Sequence, residues 1–467
     1  MVNDSLPRHS VTMPSRVITS ILLFGGLLGT VIAPPALAAA DSTSARIERE
    51  ATAAFKNSDY DRVLKLWRSV PAESQPSKPF LRLALQSFLK LGYPEDAFKI
   101  YQRLIPTDQP DDPVLLRAVA LGMLTSHVRN TKEHVRIAAY TTLAELGLKE
   151  TRTILEDGLL DSSVLVRARA IEALGRAGLA GTSGPVRRAL QDEMPAVRIA
   201  AMNALGDAKA TDTIPRLLEV ARNEDSPEGI FAYAALYKLG KQDMLTDITA
   251  ATTLPDPEIR MAAFGILGRL KRPSSMAVLS QGVYDPEPSV RAFAAGALGE
   301  YGKADGVAPL THALSDEVAR VRGMAAVSLG RLGIRATRPL IQALLRDPSM
   351  QVRASAVEGL LRLGDTSVIL TVTDLARHPD PSIRAASAQA LGATSDKQGV
   401  AILHTLLQDQ QPQPRLSAAK ALGKIAGPVV PWLKKGLQDS DEAVRLTAAG
   451  SLIQQLSHLS KPTNGRS

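Results

Sequence analysis

An arginine returns every 31 residues through most of this chain. Arg136, Arg167, Arg198, Arg260, Arg291, Arg322, Arg353, Arg384 and Arg415 share one register. Gly229 fills the one empty slot, and Arg445 falls a residue early. Seven positions after each slot, leucine stands in all eleven units, from Leu143 to Leu452. Three positions after, alanine stands in ten, with Ser387 the exception. A unit of this size is one supersecondary element that cannot bury its apolar face alone. Units must therefore stack and share a continuous core. A single compact core is excluded for a chain of 467 residues built this way,.

Each unit reads as two helices. In residues 290–302, apolar positions −1, +3, +7 and +10 relative to Arg291 form one helical stripe,. Glycine stands at +11 in Gly147, Gly178, Gly240, Gly302, Gly333 and Gly364, where a helix ends in a left-handed residue at little cost without a Cβ,. A shorter helix precedes, as at 309–314 and 339–345. Proline near its start lacks an N–H that would be orphaned there anyway. Asp-Pro turns such as Asp285-Pro286 and Asp347-Pro348 join the two. Six positions before the arginine stand Asp161, Asp192, Asp285, Asp316, Asp347, Asp409 and Asp439, with Asn130 and Asn223 in the same place elsewhere.

These units resemble HEAT repeats, in the short form also found in relatives of the bilin lyases. The match spans residues 113–457. It implies an all-α, right-handed α-solenoid, a superhelix of about eleven two-helix repeats. It also implies a structural ladder of hydrogen bonds between neighbouring turns, made by Asp161, Arg167, Asp192, Arg198, Asp285, Arg291, Asp316, Arg322, Asp347, Arg353, Asp409, Arg415, Asp439 and Arg445. A bidentate arginine–carboxylate pair fixes geometry, so these arginines are discounted as a binding patch. Gly229 and Glu228 break the pattern, and Leu254 and His378 replace the aspartate. Those repeats are either looser, changed in curvature, or simply drifted. At about 10 Å per helix layer, eleven repeats give an arc on the order of 100 Å long.

Residues 41–112 keep a different rhythm. Asn57-Ser58-Asp59-Tyr60 leads to Val63, Leu64 and Trp67, and 34 residues on, Leu91-Gly92-Tyr93-Pro94 leads to Ala97, Phe98 and Tyr101. This resembles tetratricopeptide repeats; two generic helical hairpins would read the same way. The segment can cover the first HEAT repeat. Pro110 and Pro113 with Asp111 and Asp112 mark the junction. Residues 458–467 read as a polar tail.

Residues 1–40 read as an address. Arg8 and Arg16 precede an apolar run at 17–33, followed by Ala36-Leu37-Ala38 and Ala38-Ala39-Ala40. A basic region, an apolar region and an A-x-A site, in that order, predict a signal peptide cut after Ala38 or Ala40, with Met13 an alternative start. An uncleaved anchor is the competing reading, since about 17 residues is the lower limit for a span. The expected location is the periplasm or outside the cell. No stable membrane span is expected after cleavage.

Composition narrows the chemistry. With no cysteine, disulfides, thiolate metal sites and thiol nucleophiles are excluded,. Aromatics are only 4%, as a unit demanding Ala and Leu at fixed places requires. Among seven histidines, His127 and His134 form the one close pair, and their spacing does not imply converging ligands. No His-Glu dipeptide, phosphate-binding loop or nucleophile elbow occurs,. No catalytic, cofactor-binding or metal-binding residue is picked out, and the chain is expected not to be an enzyme. The net charge is +8, and losing Arg8, Arg16 and Asp4 lowers it by one.

One row stands apart. Nine positions after the slots come Arg176, Lys238, Arg269, Arg331, Arg362 and Lys424, with Glu145, Asp207 and Glu300 interspersed. Cations in a last helical turn offset the helix dipole, and the same row would make a basic stripe for an acidic partner. Glu172, Glu358, Gln389 and Lys420 at +5 would break its uniformity. The expected function is an exported, non-enzymatic scaffold that binds an unidentified protein partner along the solenoid. A bilin-lyase-like action on a chromophore is one alternative. A protein gripping nucleic-acid backbone is another, although the export signal and the lack of stacking aromatics speak against nucleic acid.

Overall fold

In a computed structural model, the structure describes residues 35–70, 75–222, 226–394, 397–425 and 427–459. The predicted basic and apolar regions of the signal peptide, Met13, Asn223 and residues 460–467 lie outside them.

Four helices come first: α1 (Pro35–Lys56), α2 (Tyr60–Arg68), α3 (Lys78–Lys90) and α4 (Pro94–Leu104). α1 begins ahead of the expected cleavage positions and runs through them. α1 pairs with α2 and α3 with α4, and both residues of the Val63–Ala97 spacing are fully buried. A small cluster of Ile47, Ala51, Val63, Leu66 and Phe80 holds the first hairpin, and Trp67 joins it to the main core.

Eleven helix pairs follow. They are α5 (Pro113–His127) with α6 (Glu133–Leu146), α7 (Arg152–Asp157) with α8 (Val164–Arg176), α9 (Gly184–Arg188) with α10 (Pro195–Asp207), and α11 (Ile214–Ala221) with α12 (Pro227–Lys238). Next come α13 (Met244–Ala250) with α14 (Pro257–Leu270), α15 (Met276–Gln281) with α16 (Pro288–Tyr301), and α17 (Val307–Ala313) with α18 (Ala319–Leu332). The last four are α19 (Arg338–Ala343) with α20 (Met350–Arg362), α21 (Ile369–Leu375) with α22 (Pro381–Leu391), α23 (Val400–Leu406) with α24 (Pro412–Leu422), and α25 (Val430–Gly436) with α26 (Glu442–Leu459). No strand occurs among the described residues. The fold is an all-α solenoid. One apolar cluster runs from Leu64 to Leu456, and it holds the +7 leucines of every repeat at 2% exposure or less.

The helix ends obey local chemistry. The six +11 glycines all take positive φ, from 59° to 103°. In two repeats Lys209 and Lys271 occupy that place at φ 57° and 53°, a conformation that costs a Cβ-bearing residue roughly 1–2 kcal/mol. Several first helices are short and framed by 3-10 turns, such as Leu344–Arg346 after α19.

The ends of the solenoid meet, and the arc closes into a ring. Each second helix packs on the next, from α6 through the even-numbered helices to α26, and α26 packs in turn on α6 and α5. The register survives the joint. Ser163 Oγ donates to Glu133 Oε1 at 2.6 Å between the first two repeats, and Lys132 Nζ donates to Glu442 at 3.1 Å in the equivalent places across the closure. Lys420 also pairs with Glu145, and Lys434 with Asp111 at 2.6 Å. Asp111 accepts in addition from the Tyr101 hydroxyl at 2.8 Å, and Gln438 reaches Gln102. The N-terminal segment, expected as a cover for the first repeat, thus also clasps the last one. Burial and the Asp111 carboxylate raise the Tyr101 phenol far above its usual range, which keeps it a donor.

Small residues let the ring close. Glycine stands at +8 in Gly175, Gly206, Gly268, Gly299, Gly330, Gly392 and Gly423. Each faces the small +6 residue of the next second helix, such as Ala297, Ser328 or Gly359. A Cβ on Gly330 would lie 2.5 Å from the Gly359 Cα, and one on Gly268 2.7 Å from the Ala297 carbonyl oxygen. Second helices therefore approach one another closely, while first helices lean chiefly on their own partners. The layer with the closer spacing is the inner one. The estimated 100 Å arc becomes a circumference. Axes set 8–10 Å apart leave a lumen roughly 20 Å across once helix radii are subtracted.

Candidate functional site

The turns on one rim carry the ladder. Arg136 grips Asp161 with Nε and Nη2 at 2.8 and 2.9 Å, while its Nη1 donates to the Asn130 carbonyl of its own turn at 2.9 Å. Each rung thus ties one turn to the aspartate 25 residues on. Arg167–Asp192, Arg260–Asp285, Arg291–Asp316, Arg322–Asp347 and Arg384–Asp409 repeat the same bidentate geometry at 2.6–3.1 Å. Arg415 reaches Asp439 at 2.7 Å across 24 residues. The aspartates also shape their own turns: Asp347 Oδ1 accepts from Ser349 N at 2.8 Å. Hydrogen bonds from Arg322 and Arg384 hold Asp347 and Asp409 below the usual carboxylate range.

The irregular repeats follow from this offset. Arg198 would meet position 223; it takes Glu228 instead, with both oxygens at 2.6 Å. Gly229 and Leu254 are partners in one rung, so donor and acceptor are lost together. Arg353 would meet His378; its Nε turns back to the Asp347 carbonyl at 2.6 Å. Arg445 donates to the Asp439 carbonyl at 2.8 Å, and its Nε is buried with no partner among the described residues. Asn130 stands where the next aspartate would close the ladder.

The +9 row lies on the other rim, at the C-terminal ends of the second helices. Positions −1, +3 and +7 are buried against the first helices; +2, +5 and +9 form the opposite stripe, facing the lumen. A crevice of about 150 Å³ at the closure shows these positions on one surface: Ala138, Thr141 and Glu145 of α6 meet Lys420 of α24, Lys424 just past its end, and Thr447, Gly450 and Gln454 of α26. Not every cation of the row is free. Lys238 binds Asp207 at 2.6 Å and Arg362 binds Glu358 at 2.8 Å. Arg176, Arg269, Arg331 and Lys424 are exposed and make no ion pair among the described residues.

Elsewhere the surface offers less. A groove of about 830 Å³ lies where the N-terminal hairpins meet the first repeats, but its Arg136 and Asp161 are already paired. His127 bonds the Met123 carbonyl at 2.8 Å, and His134 lies 4.0 Å from Glu442, so the two do not converge. Among the described residues, no group of three or more His, Asp or Glu side chains could hold a metal ion, and no helix is long and apolar enough to cross a membrane.

The model for HEAT repeats matches residues 159–236, 276–339, 337–422 and 400–458. The chain belongs to the HEAT-repeat family. No curated protein gives a significant match. Among solved structures, similarity extends to the complex of CpcE and CpcF of phycocyanin lyase from Nostoc sp. PCC7120, at 22% identity over 44% of this chain and 93% of that one, TM-score 0.35. Human deoxyhypusine hydroxylase matches at 19% over 54% and 98%, TM-score 0.30. Kap95p, studied with RanGDP, matches at 14% over 91% and 65%, TM-score 0.35. At such identities the likeness concerns the fold alone.

Proposed function

We propose that this protein is an exported, non-enzymatic scaffold that holds a protein partner inside its ring. The observation that carries this reading is the inner stripe at +2, +5 and +9 of successive second helices, a lining on which the repeat imposes no fixed residue. Leucine at +7 and alanine at +3 are committed to the core, so specificity is free to reside in the lining. The N-terminal pattern of Arg8, Arg16, the 17–33 run and the A-x-A sites supports export to the periplasm or beyond the cell. The test is purification of the mature chain from a periplasmic extract, with mass spectrometry of what it retains. One reproducible partner, displaced by substitutions in the lining, is the expected result. A ring that retains nothing and turns over a small molecule overturns the reading.

A further inference from the structure

One arc of the lumen carries large apolar side chains in its lining. Phe231 of α12, Ala262 of α14, Phe293 of α16 and Met324 of α18 occupy +2 in four successive repeats. Phe293 is 44% exposed, unusual for a phenylalanine in a helix so close-packed. Gly265 and Gly296 at +5 leave the floor beside it low; a Cβ on Gly265 would meet only the Arg269 guanidinium at 3.8 Å. Seven residues on, about 10 Å along the helix axis, stand Arg269 and Arg331, exposed and without an ion pair among the described residues, with Glu300 between them. Among the described residues of the +2, +5 and +9 stripe, the cations without an ion pair are Arg176, Arg269, Arg331 and Lys424, and the carboxylate without one is Glu300.

Taking the scaffold reading as its basis, we infer that this arc is a docking surface for an acidic amphipathic segment of another protein, no wider than one α-helix. An apolar side chain seats on Phe293, and carboxylates one to two turns away meet Arg269 and Arg331. Size excludes a folded domain: a 100-residue domain is about 30 Å across, whereas a helix with its side chains measures about 10–12 Å and fits a lumen of roughly 20 Å. A DNA duplex would fit by width. However, a lining one 14-residue helix tall, roughly 21 Å, would enclose about twelve phosphates at one per 1.7 Å, and four cations do not balance them.

The test uses the mature full chain and a dye-labelled 21-residue peptide with leucine at i, i+3, i+7 spacing and glutamate between, read by fluorescence anisotropy. The same peptide with lysine for glutamate and a 20-base-pair duplex are compared. Binding of the glutamate peptide at least tenfold tighter than the lysine peptide is expected. Phe293→Ala, and separately Arg269→Glu with Arg331→Glu, should each weaken it at least tenfold at unchanged melting temperature. The proposal is overturned if the glutamate peptide does not bind, if neither variant weakens it, or if the duplex binds more tightly. A co-purifying partner that both variants still retain in full also overturns it while leaving the scaffold intact; a wild-type ring that holds neither partner nor peptide removes both.

Discussion

At the scale of the residue, the two lysines in glycine's place are the clearest departures from local preference. Lys271 caps α14 at φ 53° with its side chain exposed, so Lys271→Gly relieves strain and loses no packing. Against it stands the greater freedom glycine gives the unfolded chain. The net expectation is about 0.5–1 kcal/mol of added stability in urea unfolding, while Gly302→Ala at φ 75° should lose about 1 kcal/mol. A second residue-scale case is the missing rung at Arg353. His378 Nδ1 already accepts from the Asp380 N–H, as an aspartate there would. His378→Asp keeps that turn and supplies Arg353 with a carboxylate, for an expected gain of about 1 kcal/mol; His378→Asn, which lacks the charge, should gain less. The ladder also sets the response to acid. Asp347 and Asp409 have folded-state pKa values below their unfolded values. Their contribution is complete above the unfolded value of about 4 and drains away as pH falls through the depressed folded values. Urea midpoints should hold from pH 7 to about 5 and drop below about 4. A midpoint still level at pH 3 would mean that the rungs add little.

At the scale of the element, two glycines in one helix have opposite roles. Gly268 of α14 presses on α16, where a Cβ would lie 2.9 Å from the Ala297 Cα; Gly265, three residues earlier, faces the open lumen. Gly268→Ala is expected to destabilise by about 1–3 kcal/mol through overpacking. Gly265→Ala should stabilise by up to about 1 kcal/mol, because alanine orders more cheaply in a helix. Equal effects at both sites would show that helix propensity, rather than close approach, governs these positions. The contrast also marks what could be read from the sequence. The leucines, the +11 caps and the order of helices follow from residues acting within one repeat, where local preference and burial dominate. The +8 glycines also recur at the repeat spacing. Yet what they do depends on the +6 residue of the neighbouring helix, and nothing in one repeat states how near that helix comes. The +9 row is visible in the sequence as a row, but its division into paired and free cations rests on carboxylates at +5 and in adjacent helices.

At the scale of the whole molecule, closure depends on a small rotation repeated eleven times, about 33° each for a ring. An error of a few degrees per step would leave an open arc, so no single residue predicts it. Two kinds of contact hold the joint, and their magnitudes differ. Lys132 and Glu442 are 57% and 24% exposed in their side chains, and such pairs contribute about 0.2–1 kcal/mol. Ile453 of α26, in the +8 place that faces the next second helix, is almost fully buried, at about 1.5–3 kcal/mol for such a side chain. Apolar packing therefore dominates, and Glu442→Lys should loosen the joint without opening it: faster amide exchange in α6 and α26, suppressed differences at high salt, and an unchanged radius of gyration. Opening requires a wedge. Gly450 faces Thr142 so closely that a Cβ would come within 2.3 Å of its methyl group. Gly450→Phe should part α26 from α6, raise the radius of gyration in small-angle scattering and expose α5, α6 and α26 to exchange. The helices opposite, α14 to α18, should keep their protection, since each still has both neighbours. If the scattering curve of Gly450→Phe matches that of the wild type, the joint yields by local adjustment and close approach at Gly450 is not what keeps the ring closed.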